Sequence, residues 1–113
     1  MELEKFNRQL PADLVPFLIK VHNPFGDMNQ AVFRFPNDYG ASIIMGSGSY
    51  GLELGVVEFY GEEDMDFELD FATPIAHDVL GHLTLDSMAE ALRDIQKLHK
   101  SLDGRIPRQT IEQ

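Results

Sequence analysis

The sequence predicts an α+β domain: a four-stranded antiparallel β-meander covered by a C-terminal α-helix, with a short N-terminal helix or extension. Three observations predict it. Between residues 30 and 71 apolar side chains recur with a period of two, broken by short turns rich in Gly, Pro and Asn. From Leu85 onward the period changes to three and four. The chain has 113 residues, 43% of them hydrophobic and none of them cysteine, which suits a single domain over 1–113 held by packing alone.

Residues 1–12 are polar, end in Leu10 and Pro11, and show no countable period, so they read as an N-terminal arm. Residues 13–21 join a possible N-cap, Asp13, to an apolar run in which Pro16 is tolerable within a first turn. A short helix is the first choice there, and a strand from Phe17 to Val21 the second. Residues 22–27 supply turn chemistry.

The first strand of the meander begins at Gln30, with Ala31, Phe33 and Phe35 alternating against Val32 and Arg34, and closes at the turn Pro36 to Gly40. A second strand, Ala41 to Met45, runs into the loop GSGSYG, residues 46–51. The third, Leu52 to Tyr60, changes apolar parity partway, which predicts a β-bulge near Gly55. After an acidic turn, Gly61 to Asp64, the fourth strand is expected to bury Met65, Phe67, Leu69 and Phe71 and to expose Asp66, Glu68 and Asp70.

Residues 72–83 read as a connection with its own apolar anchors, Ile75, Val79 and Leu80. Thr84 is placed to cap a helix whose stripe is Leu85, Met88, Leu92, Ile95, His99 and Leu102, with Gly104 as its terminator. Residues 105–113 are expected to be a C-terminal tail.

Charge is distributed unevenly. Residues 35–92 carry twelve acidic side chains and no Lys or Arg, within a net charge of −10. Such a field disfavours direct binding to nucleic acid or anionic membranes and favours cationic partners. The first fifteen residues interrupt any apolar core of a leader with charges, and the apolar runs are short, so a cytoplasmic protein without a membrane span is expected. Side chains on one strand face recur every ~6.6 to 6.8 Å, close to successive phosphates of a nucleic acid strand, so Asp66, Glu68 and Asp70 could imitate one. The alternative is an ordinary solvated face.

Motifs for chemistry are weak. The loop GSGSYG lacks the following helix and the Lys of a phosphate-binding loop, and a hairpin connection accounts for its glycines. Neither Ser47 nor Ser49 sits in a nucleophile elbow. His77, Asp78 and His82 form the one local histidine cluster, at a spacing that matches no specific metal pattern, and no metal or cofactor is assigned. Paired carboxylates abound without any two being set apart, so no catalytic residue is assigned. Arg93, Lys97 and Lys100 make a basic stripe that suits the helix C-terminus and makes a homodimer conceivable, pairing with the acidic sheet of another copy.

The segments FPNDYG (35–40), SYG (49–51) and TPIAHDVLGHLT (73–84) resemble those of small uncharacterised acidic proteins encoded by bacteriophages, over a little more than half the chain. The chain departs from them in a shorter loop after the SYG segment and in its N-terminal extension. The resemblance implies a phage origin and the cytoplasm of a bacterial host, and it brings no catalytic residues.

The leading expectation is a noncatalytic phage accessory protein that binds a host or defence protein with a basic surface, one that handles nucleic acid for instance. It would act as a counter-defence inhibitor or nucleic-acid mimic through Glu58, Glu62, Glu63, Asp64, Asp66, Glu68 and Asp70. The alternative is a small-ligand or nucleotide-sequestering protein using Tyr39, Ser47, Gly48, Ser49 and Tyr50.

Overall fold

A computed structural model describes residues 3–25, 28–46 and 52–99. The order of elements is α1 (Leu3–Gln9), a 3-10 turn (Val15–Phe17), β1 (Leu18–Phe25), β2 (Met28–Arg34), β3 (Tyr39–Gly46), β4 (Leu52–Phe59), β5 (Phe67–Leu69), β6 (Leu80–Leu83) and α2 (Leu85–Gln96). The sheet is antiparallel throughout, with β1 to β4 in sequential order. On the far side of β4, β5 pairs with Val57 to Phe59 and β6 with Leu52 to Leu54, so the two short strands share one edge. The expected class therefore holds, with six strands in place of four.

The two additional strands come from segments assigned otherwise by sequence. Residues 18–25 form a strand and not the helix preferred for 13–21. Pro16 lies in a single 3-10 turn, and beyond it a register shift against β2 between Leu18 and Lys20 sends Leu18 and Val21 to the main core and Ile19 to the opposite face, burial on two sides that a strand offers to these branched side chains. Residues 80–83, read as part of a connection, complete the β4 edge. The supposed arm contains α1, whose Phe6 is fully buried, and Leu10 and Leu14 follow it into the core.

Side chains on a strand alternate between faces, and both faces of this sheet carry apolar groups. On the main face Ala31, Phe33, Ala41, Ile43, Met45, Leu52, Leu54 and Val56 meet Phe6, Leu10 and Leu14 from the N-terminal segment and Met88, Leu92 and Ile95 from α2. Burying each of the three α2 side chains contributes ~1.5 to 3 kcal/mol. On the opposite face, Val32, Val57 and Phe59 form a smaller cluster with Ile19 and Phe67 against them.

This two-sided burial explains the parity change in β4. Leu52, Leu54 and Val56 face the main core and Val57 and Phe59 the minor one, while the β3–β4 register runs unbroken from Tyr39–Glu58 to Ile44–Glu53. The bulge predicted near Gly55 is absent from that ladder. An irregularity lies instead between β4 and β6, where Leu52 and Leu54 pair with Leu83 and Leu80. Three residues of β6 thus span two of β4, and His82 takes up the extra length in the left-handed region at φ 57°. That irregularity lets Leu80 and Leu83 both pack on the main core, although they stand three residues apart.

Helix α2 begins as the sequence indicates. Thr84 Oγ1 accepts from Ser87 N and Ser87 Oγ accepts from Thr84 N, a reciprocal capping box. Its end differs: the helix stops at Gln96, short of His99, which is exposed, while Leu102 and Gly104 lie outside the described residues. Asn37, in the β2–β3 hairpin, closes this end by donating from Nδ2 to the carbonyls of Ile95 (3.0 Å) and Leu98 (2.9 Å).

Candidate functional site

The acidic turn connects β4 to β5 and is held as a compact unit. Tyr60 N donates to Asp66 O (3.0 Å), Asp66 N to Glu63 O (3.1 Å) and Glu63 N to Asp66 Oδ2 (3.1 Å). The Asp66 carboxylate occupies the space that a Cβ at Gly61 would fill. From the neighbouring hairpin, Arg34 Nη1 donates to Gly61 O and Nη2 to Asp38 Oδ1, each at 2.8 Å, while the guanidinium lies 4.5 Å from the centre of the Phe59 ring. The last cation before the acidic stretch thus anchors its turn. Glu62, Glu63 and Asp64 project from this support, all exposed.

β5 does not present the carboxylates as the alternation of its sequence indicates. Only Phe67–Leu69 forms a strand, and Phe67 and Leu69 pair with Phe59 and Val57, which places them on the minor face. Leu69, expected inside, is 49% exposed, and Met65 and Phe71 are exposed as well. Glu68 pairs with Glu58, whose own partner across β3 is the core residue Tyr39, so both carboxylates lie on the main-core side at the edge of the sheet.

Of the three residues expected to form a row, Glu68 alone is exposed. Asp66 folds back onto its own turn, and Asp70, 8% exposed, accepts from Ala72 N through Oδ1 at 2.9 Å. The row of three carboxylates at strand spacing, and with it the geometric basis for imitating a nucleic acid backbone, is not formed. Glu58, at 9% exposure, is likewise withdrawn from any partner surface. The accessible part of the predicted set is Glu62, Glu63, Asp64 and Glu68.

The ligand-binding alternative loses its described member. Tyr39 is fully buried in the main core and offers no ring face for stacking, while Ser47, Gly48, Ser49 and Tyr50 lie outside the described residues. His77 Nδ1 donates to Phe71 O (3.1 Å) and Asp78 Oδ1 accepts from Val79 N (2.7 Å), so both are engaged locally. Among the described residues no three His, Asp or Glu side chains converge as a metal set.

The basic stripe of α2 is also partly occupied: Arg93 makes a two-pronged contact to Asp13 at 2.8 and 3.0 Å. That contact holds the Asp13 carboxyl below its ordinary range, chiefly through the hydrogen bond from Arg93, and raises Arg93 in return. Lys97 is exposed and Lys100 lies outside the described residues.

Sequence reasoning missed the exposed apolar groups beside the turn, Tyr60, Leu69, Phe71 and Val79. Gly55 is the signal that could have located two of them. A Cβ there would lie 2.6 Å from Leu69 Cδ2 and 3.9 Å from Val79 Cγ2, so the glycine leaves room for side chains lying across it. Among the described residues no helix is long and apolar enough to cross a membrane. Comparison of the chain with family models, with curated proteins and with solved structures finds no match.

Proposed function

We propose that the protein is a noncatalytic binding protein whose exposed acidic turn, Glu62 to Asp64, together with Glu68, docks on the basic surface of another protein. The observation that carries this reading is a rigidly supported turn of three adjacent exposed carboxylates inside a 58-residue stretch, 35–92, that contains no Lys or Arg. A pre-ordered turn loses little entropy on docking, and charges at the rim of an interface mainly speed and orient encounter.

The resemblance to phage-encoded proteins directs the reading further, to a host or defence protein as the partner and to a counter-defence role in the cytoplasm of a bacterium. Docking by charge is favoured over imitation of a nucleic acid, because of Asp66, Glu68 and Asp70 only Glu68 is fully exposed, Asp66 being half-buried against its own turn and Asp70 buried.

Affinity capture from bacterial lysate tests the reading, with the wild type compared against a variant carrying Glu62→Lys, Glu63→Lys, Asp64→Lys and Glu68→Lys. Proteins retained by the wild type and lost by the variant, with basic surfaces and release by salt, are expected. Equal capture by both overturns the proposal.

A further inference from the structure

Seven large hydrophobic side chains are exposed among the described residues, and five of them, Tyr60, Met65, Leu69, Phe71 and Val79, fall within one stretch of twenty residues around β5. Exposed apolar residues scattered singly are ordinary, whereas a local concentration marks a contact surface. Two of the five demonstrably converge. Leu69 Cδ2 and Val79 Cγ2 both approach the point above Gly55 where a Cβ would stand, and they are 49% and 43% exposed. Beside them the floor is firm: Val57, the cross-strand partner of Leu69, is fully buried, and the rings of Phe59 and Phe67 meet edge to face at 5.3 Å.

We propose that Leu69 and Val79, meeting over Gly55 on the minor face of the sheet, form an apolar anchor that works with the acidic turn, Glu53 and Asp78, while Glu68 stands on the opposite face, and that its occupant is a cationic protein segment carrying a large apolar side chain. This rests on the functional reading above and adds what the partner must bring besides charge.

The charge around the anchor selects the occupant. Glu53 is exposed and shares the parity of Gly55 and Val57, Asp78 is exposed next to Val79, and the acidic turn follows β4 directly. Arg34, the cation bound to that turn, is committed to Asp38, Gly61 and Phe59. A neutral apolar partner would strip water from these carboxylates without pairing them, which is costly, whereas Lys or Arg flanking the apolar group pairs them. A second copy of this chain fits less well, because Arg93 of its basic stripe is already paired with Asp13.

Two synthetic peptides of equal charge test the proposal, Lys-Arg-Lys-Leu-Phe-Leu-Lys-Arg-Lys and Lys-Arg-Lys-Ser-Gly-Ser-Lys-Arg-Lys. Binding is read by fluorescence anisotropy at ~0.15 M salt, where long-range attraction is screened. The apolar peptide is expected to bind about tenfold tighter, the effect of burying roughly one large side chain. Leu69→Ser with Val79→Ser should abolish that ratio and leave the Ser-Gly-Ser peptide unaffected. In the wild type, the methyl NMR signals of Leu69 and Val79 should shift with the apolar peptide alone, a reading that needs no variant.

Equal affinities, no binding of the apolar peptide at ~1 mM, a ratio that survives the double variant, or unmoved methyls would each overturn the anchor. Dimerisation at assay concentration that covers the same methyls would overturn it in favour of a second copy. The fourfold Lys variant separates the two claims: undiminished binding of the Ser-Gly-Ser peptide by that variant contradicts the charge reading, while the ratio between peptides reports on the anchor alone.

Discussion

Asn37 and Leu98 are joined by a 2.9 Å hydrogen bond from the side-chain amide of one to the carbonyl of the other, 61 positions along the chain. The same amide reaches Ile95 O at 3.0 Å, and Asn37 Oδ1 accepts from Tyr39 N at 3.0 Å. One side chain therefore shapes the β2–β3 hairpin and closes the C-terminal end of α2, whose last carbonyls have no partner within the helix.

Asn37→Ala should lower stability by about 1 to 2 kcal/mol, since the Leu98 carbonyl loses its Asn37 donor, Ile95 O keeps only backbone donors such as Leu98 N, and the hairpin loses the acceptor for Tyr39 N. Asn37→Asp should be worse, because it removes the donor and adds negative charge at the negative end of the helix. Urea denaturation monitored at 222 nm measures both, and α2 amides near Ile95 should exchange faster in each variant.

Arg34→Ala should loosen the acidic turn. It removes the donor to Gly61, the pair with Asp38 and the contact over Phe59, the last worth ~0.5 to 1 kcal/mol at an exposed site. Hydrogen exchange at residues 61–66 should accelerate, and binding of a basic partner should weaken although no acidic residue has changed. Arg34→Lys should rescue only part of this, because an ammonium lacks the fork that serves two acceptors.

His82 holds φ 57° in β6, a conformation poorly suited to branched side chains. His82→Val should cost about 1 to 3 kcal/mol, and His82→Asn should be tolerated far better, since Asn adopts that region readily. Thermal melts of the two variants decide the point, and equal melting temperatures would remove the strain argument.

The contact between Asp13 and Arg93 makes a prediction with a definite sign. The Asp13 carboxyl is lowered in the folded state from an ordinary value of 3.8, first by the hydrogen bond from Arg93, so its contribution is present above that value and lost as pH falls below it. Asp13→Asn should therefore be less stable than wild type at pH 7, with the difference fading on acidification below about pH 4. Both groups are exposed, so the effect is small, and added salt should shrink it.

The main face of the fold was legible in the sequence because its period is simple. Ala31, Phe33, Ala41, Ile43, Met88, Leu92 and Ile95 all fall where the pattern puts them, and Thr84 caps α2 as its type and place indicate. The errors lie where a segment serves two faces or lacks a period. β4 is buried on both sides, which imitates a change of parity, and β6 carries an irregularity at His82 that no residue-type rule marks. β5 alternates well in sequence yet is only three residues long and lies at the sheet edge, where its apolar side chains are only partly covered and its one carboxylate, Glu68, is exposed on the main-core side. Composition revealed the acidic stretch, but only the ladder separates exposed Glu62, Glu63, Asp64 and Glu68 from buried Glu58 and Asp70.

The central claim is that the four exposed carboxylates bind a basic protein surface. The most direct measurement is the dissociation constant of a captured partner for wild type and for a variant with Glu62→Gln, Glu63→Gln, Asp64→Asn and Glu68→Gln, at ~0.05 and ~0.3 M salt. The account predicts a loss of about tenfold or more at low salt and a flattened salt dependence in the variant. The same constant and the same salt dependence for both proteins would contradict it.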